Sequence, residues 1–232
     1  MWDSEQKFSQ YLINRLKNEG FVCNRIESHG TINGLPDMFV QGHGMDTFIE
    51  LKNMKNVSVN DERIKVPWRP GQVAWSVTYR NCHTYSINGF YITRCSWTFI
   101  GCNDGIIALP MYYNFMLNEV NTSNIKYTID NRTRIKDVLM AHSQLVMPAL
   151  CPGERRMYDF VCDIARCYQY TFAGPVESDI DWPDTEVVAQ SVDMDIEELD
   201  GRAPTDFDDC KVLSLKIAAV IYACYDNWLL NK

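Results

Sequence analysis

The chain has 232 residues, of which 46% are hydrophobic and 12% aromatic, so it can bury a sizeable core, and a fully disordered protein is excluded. Its net charge is −8, yet residues 177–209 contain thirteen acidic residues and one basic residue, which gives −12 for this segment and leaves +4 for the rest. A nucleic-acid partner is therefore not excluded, because phosphate groups respond to the local charge of a surface.

The first half of the chain alternates between helical and strand patterns. Residues 4–18 predict an amphipathic helix, because Phe8, Leu12 and Leu16 recur every four residues, and residues 70–79 predict a second helix that begins at a proline. Strands are predicted at residues 21–26, 36–41, 47–52, 89–93 and 97–101, with loops at 28–34 and 53–67. This order predicts an α/β fold with a mixed central β-sheet flanked by helices.

Beyond about residue 112 the pattern becomes mainly helical. Helices are predicted at residues 133–146, 152–170 and 207–230. We therefore expect a catalytic core at residues 1–110, followed by a mainly helical C-terminal extension. That extension divides into a helical part at residues 111–174, an acidic segment at 175–210 and a C-terminal helix at 211–232 that packs on the body.

The sequence shows no targeting or membrane-spanning pattern. Its first residues are polar and charged, and the longest strongly apolar stretch, residues 217–225, is too short to span a bilayer. The nine cysteines form no CxxC pair, which favours reduced thiols over a zinc site or a disulfide framework. We expect a soluble, cytoplasmic protein without a membrane partner.

Three residues on two neighbouring predicted strands carry the candidate chemistry. Asp37 starts one apolar strand and Glu50 lies near the end of the next, so hairpin pairing would bring both carboxylates to one end of the sheet, where they can hold Mg²⁺. Lys52 points to the same face as Glu50, because side chains alternate along a strand. Two acids and a lysine so placed can hydrolyse a phosphodiester bond. The alternative is a turn aspartate beside a solvated strand edge.

These residues resemble the motif of the PD-(D/E)XK nuclease superfamily. A Pro-Asp pair ends at Asp37 and a Glu-Leu-Lys run starts at Glu50, each beside an apolar strand. Gly34, just before the Leu-Pro-Asp run, is similar to the G-x-P-D form of the branch that includes VRR-type nucleases and some junction resolvases. The resemblance covers roughly residues 1–101. It implies a restriction-endonuclease-like core and cleavage that depends on Mg²⁺ or Mn²⁺.

The same resemblance assigns roles to individual residues. It implies catalytic roles for Asp37, Glu50, Lys52 and Gln72, and metal contacts at Glu5, Asp37, Glu50 and Leu51. An acidic residue such as Glu5 is also favoured in the first turn of a helix by the helix dipole alone. Gln72, in the helix after the lysine strand, is otherwise explained as a surface glutamine.

Basic residues around the motif are candidates for phosphate contacts. The candidate nucleic-acid-binding residues are His29, Lys55, Arg63, Lys65 and Arg69. Each is otherwise a solvated surface residue. The chain lacks the signatures of ATP-binding and dinucleotide-binding loops, so we expect no organic cofactor.

These patterns predict a metal-dependent deoxyribonuclease that acts as an endonuclease. Branched DNA or replication and repair intermediates are favoured as substrates, because no separate base-reading module is evident. Resolving a junction symmetrically would require a homodimer, and small nucleases of this kind are common in phages. Residues 177–209 are interpreted as a solvated linker, a segment that binds a protein partner, or an internal DNA mimic. The alternative function is a noncatalytic nucleic-acid-binding protein or an acidic DNA-mimic protein.

Overall fold

A computed structural model of the protein describes residues 2–26, 34–111, 120–121, 127–142, 144–173, 180, 182–192, 194 and 196–231. The helices in this part of the chain are α1 (Glu5–Asn18), α2 (Pro70–Cys82), α3 (Ile135–His142), α4 (Met157–Ala173), α5 (Thr185–Ser191), α6 (Ile196–Leu199) and α7 (Phe207–Leu230). The strands are β1 (Val22–Arg25), β2 (Met38–Gly42), β3 (Met45–Asn53), β4 (Arg63–Ile64), β5 (Thr84–Ile87), β6 (Phe90–Arg94), β7 (Trp97–Gly101), β8 (Ile106–Pro110), β9 (Val120–Asn121), β10 (Tyr127–Ile129) and β11 (Gln144–Pro148).

The chain forms two compact units that are interleaved in sequence. The first comprises Met1–His83 and Arg94–Leu139, and the second comprises Thr84–Thr93 and Met140–Lys232. A short segment from within the first 110 residues therefore belongs to the second unit, and the first unit continues well beyond residue 110.

The first unit is built on a six-stranded sheet with the order β1-β2-β3-β7-β8-β10. Strands β3 and β7 run parallel, with Lys52 opposite Ile100, and the other neighbouring pairs are antiparallel. This arrangement confirms the predicted mixed central sheet flanked by helices. Parallel pairing requires a long crossover, and the connection from β3 to β7 contains α2.

Helix α1 and the β2–β3 hairpin form where the sequence predicts them. The Ser4 side chain accepts a hydrogen bond of 3.2 Å from the Lys7 backbone N–H and caps the start of α1. The β2–β3 turn places His43 at φ 51° and Gly44 at φ 74°. Two positive φ values give the turn that matches the twist of a tight hairpin. Met38 lies opposite Ile49 as a result, which brings Asp37 towards the end of β3.

The connection between β3 and α2 departs from the predicted loop. It contains β4, and its Ile64 and Val66 side chains are only 1% and 2% exposed. Both pack with apolar side chains at the end of β7, just after it, and in β8. The prediction of a loop was wrong here because the exposed residues Arg63 and Lys65 alternate with Ile64 and Val66. The charged residues made the segment look polar along its whole length.

The second unit contains a three-stranded sheet of order β11-β6-β5 and helices α4 to α7. The helix predicted at residues 133–146 is wrong at its end, because α3 stops at His142 and β11 begins at Gln144. Burial of Leu145 and Val146 beside β6 favours a strand, and a short apolar run does not distinguish a strand from a helix. The helix predicted at residues 207–230 is confirmed as α7.

The acidic segment is folded in its described part. Helices α5 and α6 lie within it, and Val188, Ala189 and Leu199 are at most 4% exposed. A purely solvated linker is therefore wrong for these helices, because a linker does not bury apolar side chains. Across the part of the chain that the structure describes, no helix is both long and apolar enough to cross a membrane. None of the nine cysteines, all of which lie within the described residues, forms a disulfide.

Candidate active site

Asp37 immediately precedes β2 and is held in place by two hydrogen bonds. Its carbonyl oxygen accepts a bond of 2.8 Å from the Ile26 backbone N–H, which extends the pairing of β1 and β2. Its carboxylate Oδ2 accepts a bond of 2.8 Å from the backbone N–H of Leu51. The Asp37 carboxylate therefore lies against the main chain of β3, between the positions that carry Glu50 and Lys52.

Glu50, Lys52 and Gln72 form one hydrogen-bonded cluster. The Lys52 Nζ lies 2.7 Å from Glu50 Oε1 and 3.0 Å from Gln72 Oε1. The Gln72 Nε2 donates to the same Glu50 oxygen. The Glu50 and Lys52 side chains are 7% and 11% exposed, so this ion pair is largely removed from water. The two strand residues share one face, as alternation along β3 predicts.

Gln72 reaches the ion pair because the start of α2 holds its side chain. Its Oε1 also accepts a hydrogen bond of 2.9 Å from the Arg69 backbone N–H, immediately before the helix. A side chain three residues into a helix that bonds back to the preceding residue is one half of a capping box. Gln72 is thus a helix-capping residue and a hydrogen-bond partner of both Glu50 and Lys52.

Gly34 places the segment before Asp37 directly against the start of α2. Its φ is +91°, and a Cβ there would lie 2.0 Å from the Gly71 carbonyl oxygen and 2.7 Å from the Gln72 backbone nitrogen. Only glycine permits such an approach of two backbones. This contact joins the Asp37 loop to the helical turn that carries Gln72.

One oxygen of Glu50 is buried without a partner. Glu50 Oε2 has no hydrogen-bond partner among the described residues, whereas Oε1 accepts from Lys52 and Gln72. Burial is the largest cause that raises the pKa of Glu50 from 4.5 to about 7. The charge of Asp37 is the second cause, and Lys52 has the opposite effect. A bound cation would give Oε2 a positive partner and would favour the charged form of the carboxylate.

The donor set fits a hard divalent cation. Mg²⁺ is bound through one or two carboxylates, with water and substrate phosphate as its other ligands, and Asp37 and Glu50 provide two carboxylates at one end of the sheet. The main chain of Leu51 lies there as well, although its side chain is buried. Within the described ranges, no group of three or more His, Cys, Asp or Glu side chains is arranged to hold a metal.

Glu5 is not gathered into the cluster. Its side chain is exposed in the first turn of α1, and among the influences that raise the pKa of Glu50 its charge is the smallest. It is near enough to act on Glu50 electrostatically. A metal contact at Glu5 stays a prediction.

The pKa of Glu50 leads to a pH-dependent stability in the absence of metal. Because folding raises this pKa to about 7, the folded protein keeps a proton that the unfolded chain releases, and the resulting stabilisation is lost as the pH rises through about 7. Glu50→Gln removes this titration. We expect the free energy of unfolding of the variant, relative to the wild type, to increase by about 2 kcal/mol between about pH 5 and about pH 8.

Urea unfolding in EDTA at both pH values measures this difference, and Glu62→Gln, at an exposed acid of the β3–α2 connection, is the matched control. An equal effect of Glu50→Gln at the two pH values would contradict the expectation.

The predicted phosphate contacts lie on the surface of the first unit. Lys55, Arg63, Lys65 and Arg69 are all exposed, and the buried Ile64 and Val66 anchor the segment that carries them. The Trp68 indole N–H donates a bond of 3.1 Å to the Thr98 hydroxyl and fixes the approach to α2. His29 lies outside the described residues.

The sequence motif does not point to Gly71 or to the anchoring residues Ile64, Val66 and Trp68. The alternation of charged and apolar residues from Arg63 to Val66 was a usable signal for the anchor. The contact between Gly34 and Gly71 had no such signal, because it joins two segments that are distant in sequence.

Comparison with protein-family models and with curated proteins found no match. Among solved structures, the chain is similar to Hjc, a Holliday junction resolvase from the archaeal hyperthermophile Archaeoglobus fulgidus, with 17% sequence identity and a TM-score of 0.35. The similarity covers 54% of this chain and 88% of that chain. A likeness at this level does not identify the chemistry of the present protein.

Proposed function

We propose that the protein is a divalent-metal-dependent nuclease that hydrolyses phosphodiester bonds in DNA. The observation that supports this most is the cluster of Glu50, Lys52 and Gln72 beside Asp37, in which one carboxylate oxygen of Glu50 is buried without a partner. A structural ion pair would be expected to satisfy both oxygens of a buried carboxylate.

Asp37 and Glu50 are the proposed metal ligands. A divalent cation held there would polarise the phosphate as a Lewis acid and provide a nucleophile at neutral pH. The backbone N–H of Leu51 keeps the Asp37 carboxylate in place, and Gln72 does the same for Glu50. These contacts hold the two acids before a substrate arrives, which lowers the cost of reorganisation during the reaction.

Lys52 is the proposed partner of the attacking water and the phosphate. Its Nζ is a fixed positive charge next to Glu50, and it can orient the water or stabilise the negative charge that develops on the phosphate. Exposed Arg63, Lys65 and Arg69, on the segment leading into α2, are the proposed contacts to the DNA backbone.

Cleavage of labelled DNA tests this function. Purified protein is incubated with duplex, single-stranded and four-way-junction DNA in Mg²⁺, Mn²⁺ or EDTA. We expect cleavage only with a cation, and we expect Lys52→Met to reduce its rate by about a hundredfold or more, because the charge beside the phosphate is lost.

Lys17→Met is the matched control, since Lys17 is an exposed lysine on α1 in the same unit. It should cleave at the wild-type rate. The preferred substrate would show whether branched DNA is favoured. If the intact protein cuts none of these DNAs with either cation, the proposed nuclease function is wrong.

A further inference from the structure

A cavity of about 330 Å³ lies at the same end of the six-stranded sheet as the candidate active site. The end of β3 borders it, because the Asn53 side-chain amide donates a bond of 3.0 Å to the carbonyl oxygen of Trp2, which lines the cavity. Asn53 follows Lys52, so its side chain projects from the face of β3 opposite to that of Glu50 and Lys52. The cavity and the Glu50–Lys52 pair therefore lie on the two faces of one strand end.

Aromatic side chains form one part of the cavity lining. Trp2 is half-buried, and its ring packs on Phe8 and Tyr11 with centroid distances of 4.8 and 5.2 Å. Gly101, at the end of β7, makes room for this packing, since a Cβ there would lie 3.0 Å from the Trp2 ring. The indole is thus held in place by its neighbours while part of its surface stays accessible, as a stacking platform requires.

The charges around the cavity disfavour a phosphate. Asp104 and Asp130 line it, and both are carboxylates. Arg15 lines the cavity as well, but it already donates to the carbonyl oxygens of Asp130 and Thr133, and its Nε lies 3.5 Å from a carboxylate oxygen of Glu19. A neutral planar ring with N–H donors suits this lining better than an anion.

We propose that this cavity binds one unpaired nucleobase of the DNA strand engaged by the active site, with the base stacked on Trp2. The volume is near the lower limit of ligand pockets, which suits a single ring system and not a base pair. The proposal rests on the proposed nuclease function and narrows its substrate class to DNA that has an unpaired nucleotide beside the cleaved bond.

Binding of single-stranded DNA in EDTA tests the proposal without cleavage. Fluorescence anisotropy is measured with a labelled oligonucleotide and with a series in which one base at a time is removed to leave an abasic site. We expect Trp2→Ala to weaken binding of the intact oligonucleotide about tenfold. One abasic position should cause a similar loss with the wild type and no further loss with Trp2→Ala, because the two changes remove the same contact.

Trp2→Phe keeps a stacking ring and should bind within about twofold of the wild type, which separates loss of stacking from loss of folding. Tyr91→Ala, at an aromatic residue that is 48% exposed in the second unit, should change nothing. The proposal would be overturned if Trp2→Ala and every abasic position weakened binding independently and additively. It would also be overturned if Trp2→Ala bound the oligonucleotide as tightly as the wild type does, or if the wild type did not bind it.

Cleavage assays on the same proteins separate this proposal from the nuclease function. Base-dependent binding through Trp2 without any metal-dependent cleavage would leave the cavity assignment standing and reject the nuclease. Normal metal-dependent cleavage, together with DNA binding that Trp2→Ala does not weaken, would reject the cavity assignment alone.

Discussion

Replacing Asp37 with asparagine is expected to reduce metal-dependent DNA cleavage by about a thousandfold or more, because it removes one of the two proposed metal ligands. The substitution keeps the size of the side chain, and the amide oxygen can still accept the hydrogen bond from the Leu51 backbone N–H. The fold should therefore persist while the affinity for the cation falls.

Thermal unfolding with Mn²⁺ provides a second readout that does not depend on cleavage. At about a hundred times its Kd, Mn²⁺ should stabilise the wild type by about 2.7 kcal/mol, which corresponds to an increase in Tm of about 5 to 10 °C. Asp37→Asn should show little of this increase. Asp46→Asn, at a partly exposed acid on the same hairpin, should keep most of it. Full Mn²⁺ stabilisation of Asp37→Asn would contradict the assigned metal site.

Replacing Gly34 with alanine is expected to destabilise the protein by about 3 kcal/mol and to impair cleavage as well. The new methyl group would lie 2.0 Å from the Gly71 carbonyl oxygen, a distance that only a shift of one backbone can relieve. Either shift moves the Asp37 loop away from the turn that positions Gln72. We therefore expect a lower rate of cleavage even under conditions in which the variant is fully folded.

Gly89→Ala is the matched control for this effect. Gly89 has a φ of +81°, close to the +91° of Gly34, but a Cβ there would meet nothing within 4 Å. It should cost only the backbone strain of alanine at positive φ, about 1 kcal/mol, without a change in cleavage. Urea unfolding and cleavage assays on both variants make the comparison. Equal losses of stability for the two would show that the Gly34–Gly71 contact is unimportant.

The sequence was informative where a local pattern determines the structure. The spacing of Phe8, Leu12 and Leu16 predicted α1, and the turn between two apolar runs predicted the β2–β3 hairpin. Once that hairpin was expected, strand alternation placed Glu50 and Lys52 on one face. The shared face of Glu50 and Lys52 therefore followed from periodicity, whereas a role for Gln72 was implied only by the family resemblance.

The remaining features depend on contacts between distant segments, which a single sequence does not reveal. The unpartnered oxygen of Glu50 arises from burial under several elements, and no residue type in the sequence indicates such burial. Gln72 reaches Glu50 only because the chain folds back over the sheet after β4. In β11, the same apolar run could have continued a helix, and its position beside β6 favoured the strand.

The interleaving of the two units constrains the order in which the molecule can be made. The β5–β6 hairpin leaves the ribosome before residues 144–148 have been synthesised. One edge of β6 therefore has no partner strand until β11 is made. Open strand edges are sites of intermolecular association. A chain ended after residue 110 would keep the hairpin and permanently lack its partner strand. Shortened forms of this protein should therefore aggregate during synthesis, even when every residue of the candidate active site is retained.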